Sequence, residues 1–387
     1  MLTEVLWALG PAILASALLT PAMRRLAMSW GAVDHPGPRS VHRHPVPYLG
    51  GLALYGGFAV ALGFFWLVRG GHLPVGDGRK LVGVLLGASL VVLMGVVDDL
   101  GRFWVGRFPA LADHEGRGLR PVVKLAVEAL AGLVLVSFGV AITGIHLPFH
   151  PAYAYLSFGW LAYPLTILWV ISITNAVNLI DGLDGLASGI TGIAALTLLA
   201  VALLSMPPGL AAVGCAALLG ICVGFLPWNF HPARIFMGDA GALFLGFALS
   251  AVAVMGLPLK SVTVMTVAVP ALAVGVPVFD TVLAILRRWR THQQVGVADR
   301  AHTHHRLLEL GLSHREAVVA LYMASGWLGV SALAIERVGP GLGAGILAFV
   351  IFSGALVARL VGVAGRRQVT RAAARSAPVR TSGSVPF

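Results

Sequence analysis

Long apolar runs alternate with short polar connections along the chain, and the runs have the length of a bilayer crossing. About 20 apolar residues span the hydrocarbon core as a helix. Eleven such runs are read near residues 4–22, 48–68, 81–97, 121–142, 159–174, 187–205, 210–226, 241–257, 262–284, 317–335 and 342–362. The pattern predicts an all-α polytopic membrane protein with about 11 transmembrane helices. The first run does not read as a cleavable signal, because its leading charge is Glu4 and its basic pair, Arg24-Arg25, follows the apolar stretch. That arrangement places the N-terminus outside and residue 24 inside. Residues 1–364 form one membrane domain, and residues 365–387 form a basic tail expected to be disordered and drawn to anionic headgroups.

Composition supports the same class. Hydrophobic residues make up 58% of the 387 and charged residues 11%, against about 25% charged in soluble proteins. Disorder is excluded, since disordered chains are poor in hydrophobics and rich in charge. A net charge of +11 would point to nucleic acid in a soluble protein. Here 21 of the 27 Lys and Arg fall in segments placed inside and 5 in loops placed outside. The charge therefore orients the chain, with a cytoplasmic C-terminus and no nucleic-acid partner. Cys215 and Cys222 share one apolar run and read as buried thiols, with no disulfide framework or zinc spacing.

A charge at the bilayer centre is costly, so the carboxylates of so apolar a chain belong at helix ends unless they perform chemistry. The polar clusters are Asp98-Asp99, the run Asn175-Ala-Val-Asn178-Leu-Ile-Asp181-Gly-Leu-Asp184-Gly, Gly238-Asp239-Ala-Gly241, Asp280, and the basic set His302, His304, His305 and Arg306. Under the predicted topology all of them face the cytoplasm. Adjacent carboxylates can hold a hard cation, and Mg²⁺ takes one or two carboxylates together with substrate phosphates. Asn175/Asn178 and Asp181/Asp184 each share a helical face at i, i+3. Solvated ends and ordinary capping are the plainer readings of Asp98-Asp99 and Asp239, and Asn229 by itself is a loop asparagine. His-x-His-His fits no standard zinc spacing and suits phosphate recognition better. Lys124 and Glu128, four apart, read most simply as a local ion pair. Acids, amides and a basic cluster at a membrane boundary together point to Mg²⁺-assisted phosphoryl transfer between a soluble nucleotide and a lipid phosphate.

The runs VDHPGPRSVHRHPVPYLGG (33–51), GVVDD (95–99), NAVNLIDGLDGLASG (175–189), PARIFMGDAGALFLGF (232–247), PVFDTVLAILRR (277–288) and HTHHRLLELG (302–311) resemble the polyprenyl-phosphate N-acetylhexosamine-1-phosphate transferases. The motif His-x-His-His-Arg resembles the branch that starts teichoic acid, O-antigen or related glycans from UDP-N-acetylglucosamine (UDP-GlcNAc). The resemblance implies a bacterial inner-membrane enzyme with a cytoplasmic active site. It would transfer GlcNAc-1-phosphate from UDP-GlcNAc to undecaprenyl phosphate and release UMP, with Mg²⁺ as cofactor and Mn²⁺ as a substitute. UDP-MurNAc-pentapeptide or another UDP-N-acetylhexosamine is the alternative donor. Carried over by motif, Asp98 would orient or deprotonate the lipid phosphate, with Asp99 beside it, and Asp239 and Asp99 would bind the metal. Asn175, Asn178, Asp181 and Asp184 would shape the nucleotide and metal side, with Asn229 adjacent. His302, His304, His305 and Arg306 would hold the diphosphate or sugar, and Lys124 a phosphate. A homodimer through a membrane face is implied on family grounds. The chain departs from the family pattern at Ser40, at Glu128 and in a long charged stretch between Asp99 and Lys124. An ion-coupled transporter is the rival from another class, but it calls for acids near mid-span in broken helices.

Overall fold

The computed structural model describes residues 2–36, 44–69, 73–74, 76–101, 118–146, 155–204, 209–255, 275, 307–308, 310–338 and 341–357, and the structural statements below concern these residues. Eight helices are long and apolar enough to cross a membrane. They are α1 (Leu2–Ser29), α2 (Gly50–Arg69), α3 (Asp77–Asp99), α5 (Ala162–Ile180, preceded by a 3₁₀ turn at Gly159–Leu161), α6 (Leu186–Leu204), α7 (Leu210–Asn229), α8 (Gly238–Met255) and α9 (His314–Arg337). Two further helices, α4 (Pro121–Ser137) and α10 (Gly341–Val357), are 17 residues long. Ten of the eleven predicted runs thus carry a helix, and the run at 262–284 lies outside the described residues apart from Gly275. The basic tail 365–387 lies outside them as well. Helices suit this solvent because they satisfy backbone N–H and C=O groups internally where lipid offers no partner.

Small residues let the helices approach closely, as expected where lipid removes the hydrophobic drive between them. Helix α1 packs on α2 and α7. Its Ser16 Oγ donates to Ile221 O at 3.0 Å, and a Cβ on Gly224 would stand 2.5 Å from Ile13 O. Helix α8 is the axis of the bundle, packed against α2, α3, α5, α6 and α7 and buried at every residue from Ala240 to Val254. At its start the backbones nearly touch. A Cβ on Gly95 of α3 would lie 2.3 Å from Ala240 Cα, and one on Gly51 of α2 would lie 2.3 Å from Gly241 N.

Two short antiparallel pairs supplement the helices. Strands β1 (Val33–Asp34) and β2 (Val46–Pro47) return the chain toward α2, pairing Val33 with Pro47 and Asp34 with Val46. The segment beyond β2 lies along the approach to α8. Phe236 N donates to Pro47 O at 2.9 Å, Gly50 N to Phe236 O at 3.0 Å and Gly51 N to Met237 O at 2.9 Å. Strands β3 (Gly144–His146) and β4 (Tyr155–Ser157) pair between α4 and α5.

Because no small side chain can fit at residue 95, Gly95→Leu should cost about 1–3 kcal/mol of stability through overpacking and so lower the unfolding midpoint in detergent. Gly326→Ala in α9, where a Cβ meets nothing within 4 Å, should be neutral or stabilising by up to about 1 kcal/mol. Thermal unfolding of both variants checks the pair.

Candidate active site

The C-terminal ends of α3, α5 and α7 gather with the N-terminal ends of α4, α6, α8 and α9, and the polar chemistry collects there. The apolar run of α3 ends in Asp98-Asp99. Neighbouring helical positions point about 100° apart, so the two carboxylates serve different partners. Asp98 turns toward α4, where Oδ1 accepts from Leu119 N at 2.6 Å and Oδ2 from Lys124 Nζ at 2.6 Å. Asp99 turns toward α8. Its Oδ1 accepts from Asp239 N at 2.8 Å and its Oδ2 from Ala240 N at 3.1 Å. A carboxylate from one helix thus caps the first turn of another, where free N–H groups and the helix dipole favour negative charge. Gly238 makes this possible. It sits at φ +68°, and a Cβ there would lie 2.4 Å from Asp99 Oδ2.

Lys124, in the first turn of α4 behind Pro121, closes the centre. Its Nζ lies 2.6 Å from Asp98 Oδ2 and 2.7 Å from Asp239 Oδ2. Asn178 Nδ2 approaches Asp239 Oδ1 at 3.4 Å. The Asp239 side chain is 33% exposed against 11% for Asp98, so Asp239 is the more open of the two carboxylates that hold Lys124. Three carboxylates around one lysine leave a local excess of negative charge. Asp181 stands near Asp239 and Asp184 just beyond α5; burial, then the repulsion of those two carboxylates, pushes its carboxyl up to about 7. Hard oxygen donors, and a negative charge that the one ammonium does not balance, are what a hard divalent cation takes.

The other expected site residues fall in four places. Asn175 faces α4, where its Nδ2 donates to Glu128 Oε2 and, at 2.9 Å, to Ile171 O. Glu128 is 1% exposed. The anticipated Lys124–Glu128 ion pair is therefore not what forms: Lys124 serves Asp98 and Asp239, and Glu128 ties α4 to α5. Asn229, 2% exposed, turns inward. Its Oδ1 accepts from Gly185 N at 3.2 Å and Ser188 Oγ at 3.1 Å, and its Nδ2 donates to Ile235 O at 3.1 Å. Asp184 Oδ2 accepts from Ala233 N at 3.0 Å and lies 2.8 Å from His231 Nδ1. His302, His304, His305 and Arg306, with Asp280, lie outside the described residues.

Three residues of this end were not anticipated: His231, His314 and Tyr322, whose hydroxyl donates to Gly185 O at 2.5 Å. Gly185, at φ +80°, is thus held by Asn229 on its N–H and by Tyr322 on its C=O. The chance to foresee His231 lay in its place two residues after Asn229; His314 and Tyr322 carry no local signal.

The raised carboxyl of Asp181 gives a signed pH effect. A group at 3.8 when unfolded and about 7 when folded binds more protons in the native state between those values, so stability falls as pH rises through that window. Asp181→Asn should flatten this part of the decline, as read by unfolding midpoints measured from pH 4 to pH 8.

Residues 81–257 match the family described as glycosyl transferase family 4. A probable undecaprenyl-phosphate N-acetylglucosaminyl 1-phosphate transferase of Bacillus subtilis (strain 168) is 34% identical over 357 residues, covering 92% of this chain and 91% of that one. A decaprenyl-phosphate N-acetylglucosaminephosphotransferase of Mycolicibacterium smegmatis is 32% identical over 341 residues, 80% of this chain and 76% of that one. A phospho-N-acetylmuramoyl-pentapeptide-transferase of Heliobacterium modesticaldum is 36% identical over 243 residues, 61% of this chain and 69% of that one. With near full-length similarity of this kind, and with the family's acidic motifs meeting at one end of a helical bundle, the chain belongs to the polyprenyl-phosphate N-acetylhexosamine-1-phosphate transferases of glycosyl transferase family 4.

Proposed function

We propose that this protein transfers GlcNAc-1-phosphate from UDP-GlcNAc to undecaprenyl phosphate at the cytoplasmic face of a bacterial membrane, as the first lipid-linked step of an envelope glycan. The observation that carries the reading is the Lys124 ammonium held between Asp98 and Asp239, a paired acid and base centre at one end of the helices. The Bacillus and Mycolicibacterium relatives, named for N-acetylglucosamine transfer to a polyprenyl phosphate, support this donor and acceptor class.

In this reading an oxygen of the lipid phosphate attacks the sugar-bearing phosphorus of the donor, and the bond from that phosphorus to UMP breaks. Asp98 orients the attacking phosphate and takes its proton when it arrives protonated. Lys124 draws the two negative partners together, which is the main task in phosphoryl transfer. Mg²⁺, held by Asp239, would screen the diphosphate and the charge that leaves with UMP. In this reading Asp99, whose two oxygens each accept from an amide of α8, holds the first turn of α8 in place beside Asp239. Asn178 and Asp181 face the donor side, while Asp184, Asn175 and Asn229 brace the turns around it. Direct attack is preferred, because no step requires an aspartyl-phosphate.

A second donor, UDP-MurNAc-pentapeptide, has support from the Heliobacterium relative. Purified protein in detergent with Mg²⁺ and undecaprenyl phosphate, offered each donor separately, decides between them through UMP release and the mass of the lipid product. UDP-GlcNAc should give product and UDP-MurNAc-pentapeptide should not. Asp239→Ala should lower the rate by about 10²–10³, the loss typical of removing one charge-stabilising group, and chelation should abolish turnover. Turnover in Asp239→Ala equal to that of the parent would overturn the assignment.

A further inference from the structure

Among the described residues, one group of three histidine and acidic side chains brings its ligand atoms close enough together to hold a metal ion, and it is separate from the lysine–carboxylate centre. Asp184, His231 and His314 each offer one atom, and these atoms lie within 4.8 Å of one another. They come from three separate segments: the turn after α5, the connection from α7 to α8, and the first residue of α9. The His231 and His314 rings stack at 4.2 Å between centroids and 19° between planes, which sets their edges side by side. Arg315 Nη2 donates to His231 O at 3.2 Å, and Ala233 N holds Asp184 from the other side.

His314 supplies the second observation. Both its ring nitrogens are shut off from solvent and neither makes a hydrogen bond of good geometry, although the Asp184 backbone lies beside the ring. An imidazole carries a donor or acceptor on each nitrogen, and a buried polar group without a partner calls for an explanation, an unseen ion among them. A carboxylate with two imidazoles is a donor set for zinc and its neighbours, whereas Mg²⁺ prefers oxygen alone. With metal–ligand bonds of about 2.0–2.2 Å, tetrahedral ligand atoms stand about 3.3 Å apart. The 2.8 Å contact between Asp184 Oδ2 and His231 Nδ1 therefore has to open slightly to admit an ion, and the wider pairs, which lie within 4.8 Å, have to draw in toward the same spacing.

We propose that Asp184, His231 and His314 form a binding site for a divalent transition-metal ion of the zinc class, which ties the start of α9 to the turn after α5 and the approach to α8. The site leaves a fourth position for water, and it stands independently of the donor and acceptor proposed above.

The test uses the full chain in detergent, stripped of metal and titrated with Co²⁺ as a visible probe and then with Zn²⁺. One equivalent of Co²⁺ should bind with the absorption of a low-coordinate, histidine-ligated ion, and Zn²⁺ should displace it and raise the unfolding midpoint. His231→Gln and His314→Gln, which keep much of the side-chain volume, should each lose that equivalent and the midpoint shift. The triple variant His302→Ala/His304→Ala/His305→Ala should retain both. Absence of stoichiometric Co²⁺ binding by the parent overturns the proposal. So does loss of the ion in the triple variant with retention in both glutamine variants, since the metal would then belong to the other histidines.

Discussion

A lysine held between carboxylates from two different helices organises this end of the molecule. Each buried ion costs several kcal/mol in lost hydration, and attraction repays this only where geometry and hydrogen bonds are good. The arrangement meets that condition charge by charge. Asp98 has the Lys124 ammonium and the Leu119 amide, Asp239 has Lys124 and Asn178, and Asp99 has two amides of α8. None of these partners is a sequence neighbour of the group it serves. The charges therefore hold α3, α4, α5 and α8 in one relation, and that relation keeps the donors and acceptors fixed before any substrate arrives. Preorganisation of this kind is the usual source of charge stabilisation in a reaction that transfers a phosphoryl group.

The packing below the charges serves the same end. Gly95 and Gly51 bring α3 and α2 against the first turn of α8, next to Asp239. The strand-like contacts of Pro47, Gly50 and Gly51 with Phe236 and Met237 fix the approach to that turn. On the neighbouring side, Asn229 and Tyr322 grip Gly185 from its two faces. Rigid elements thus surround an acid, Asp239, that stays partly open.

The lengths of the apolar runs gave the helices their places, but their ends answered to contacts no run contains. The eighth run is read from 241, whereas α8 begins at Gly238 because Asp99, on another helix, caps its first turn. The first run is read to 22, whereas α1 continues to Ser29, and Arg24 Nε donates to Arg234 O at 3.2 Å. The i, i+3 spacing of Asn175 and Asn178 did place both on one broad face. It could not show that α4 would take the first for Glu128 while α8 took the second for Asp239. Asp98-Asp99 was visible as a pair of acids, and its division into a lysine partner and a helix cap follows from which helices flank α3. The convergence of His231 with His314 is wholly tertiary, because they stand 83 positions apart in the chain.

The central claim is that Asp98 and Lys124 act as one unit on the reacting phosphates. A double-mutant cycle on UMP release, with Asp98→Asn, Lys124→Met and the combination, measures this directly. Groups that act as a unit are strongly non-additive. The account predicts that the double variant is no slower than the worse single variant within a few-fold. Losses that multiply, each variant costing the same with or without the other, would contradict it.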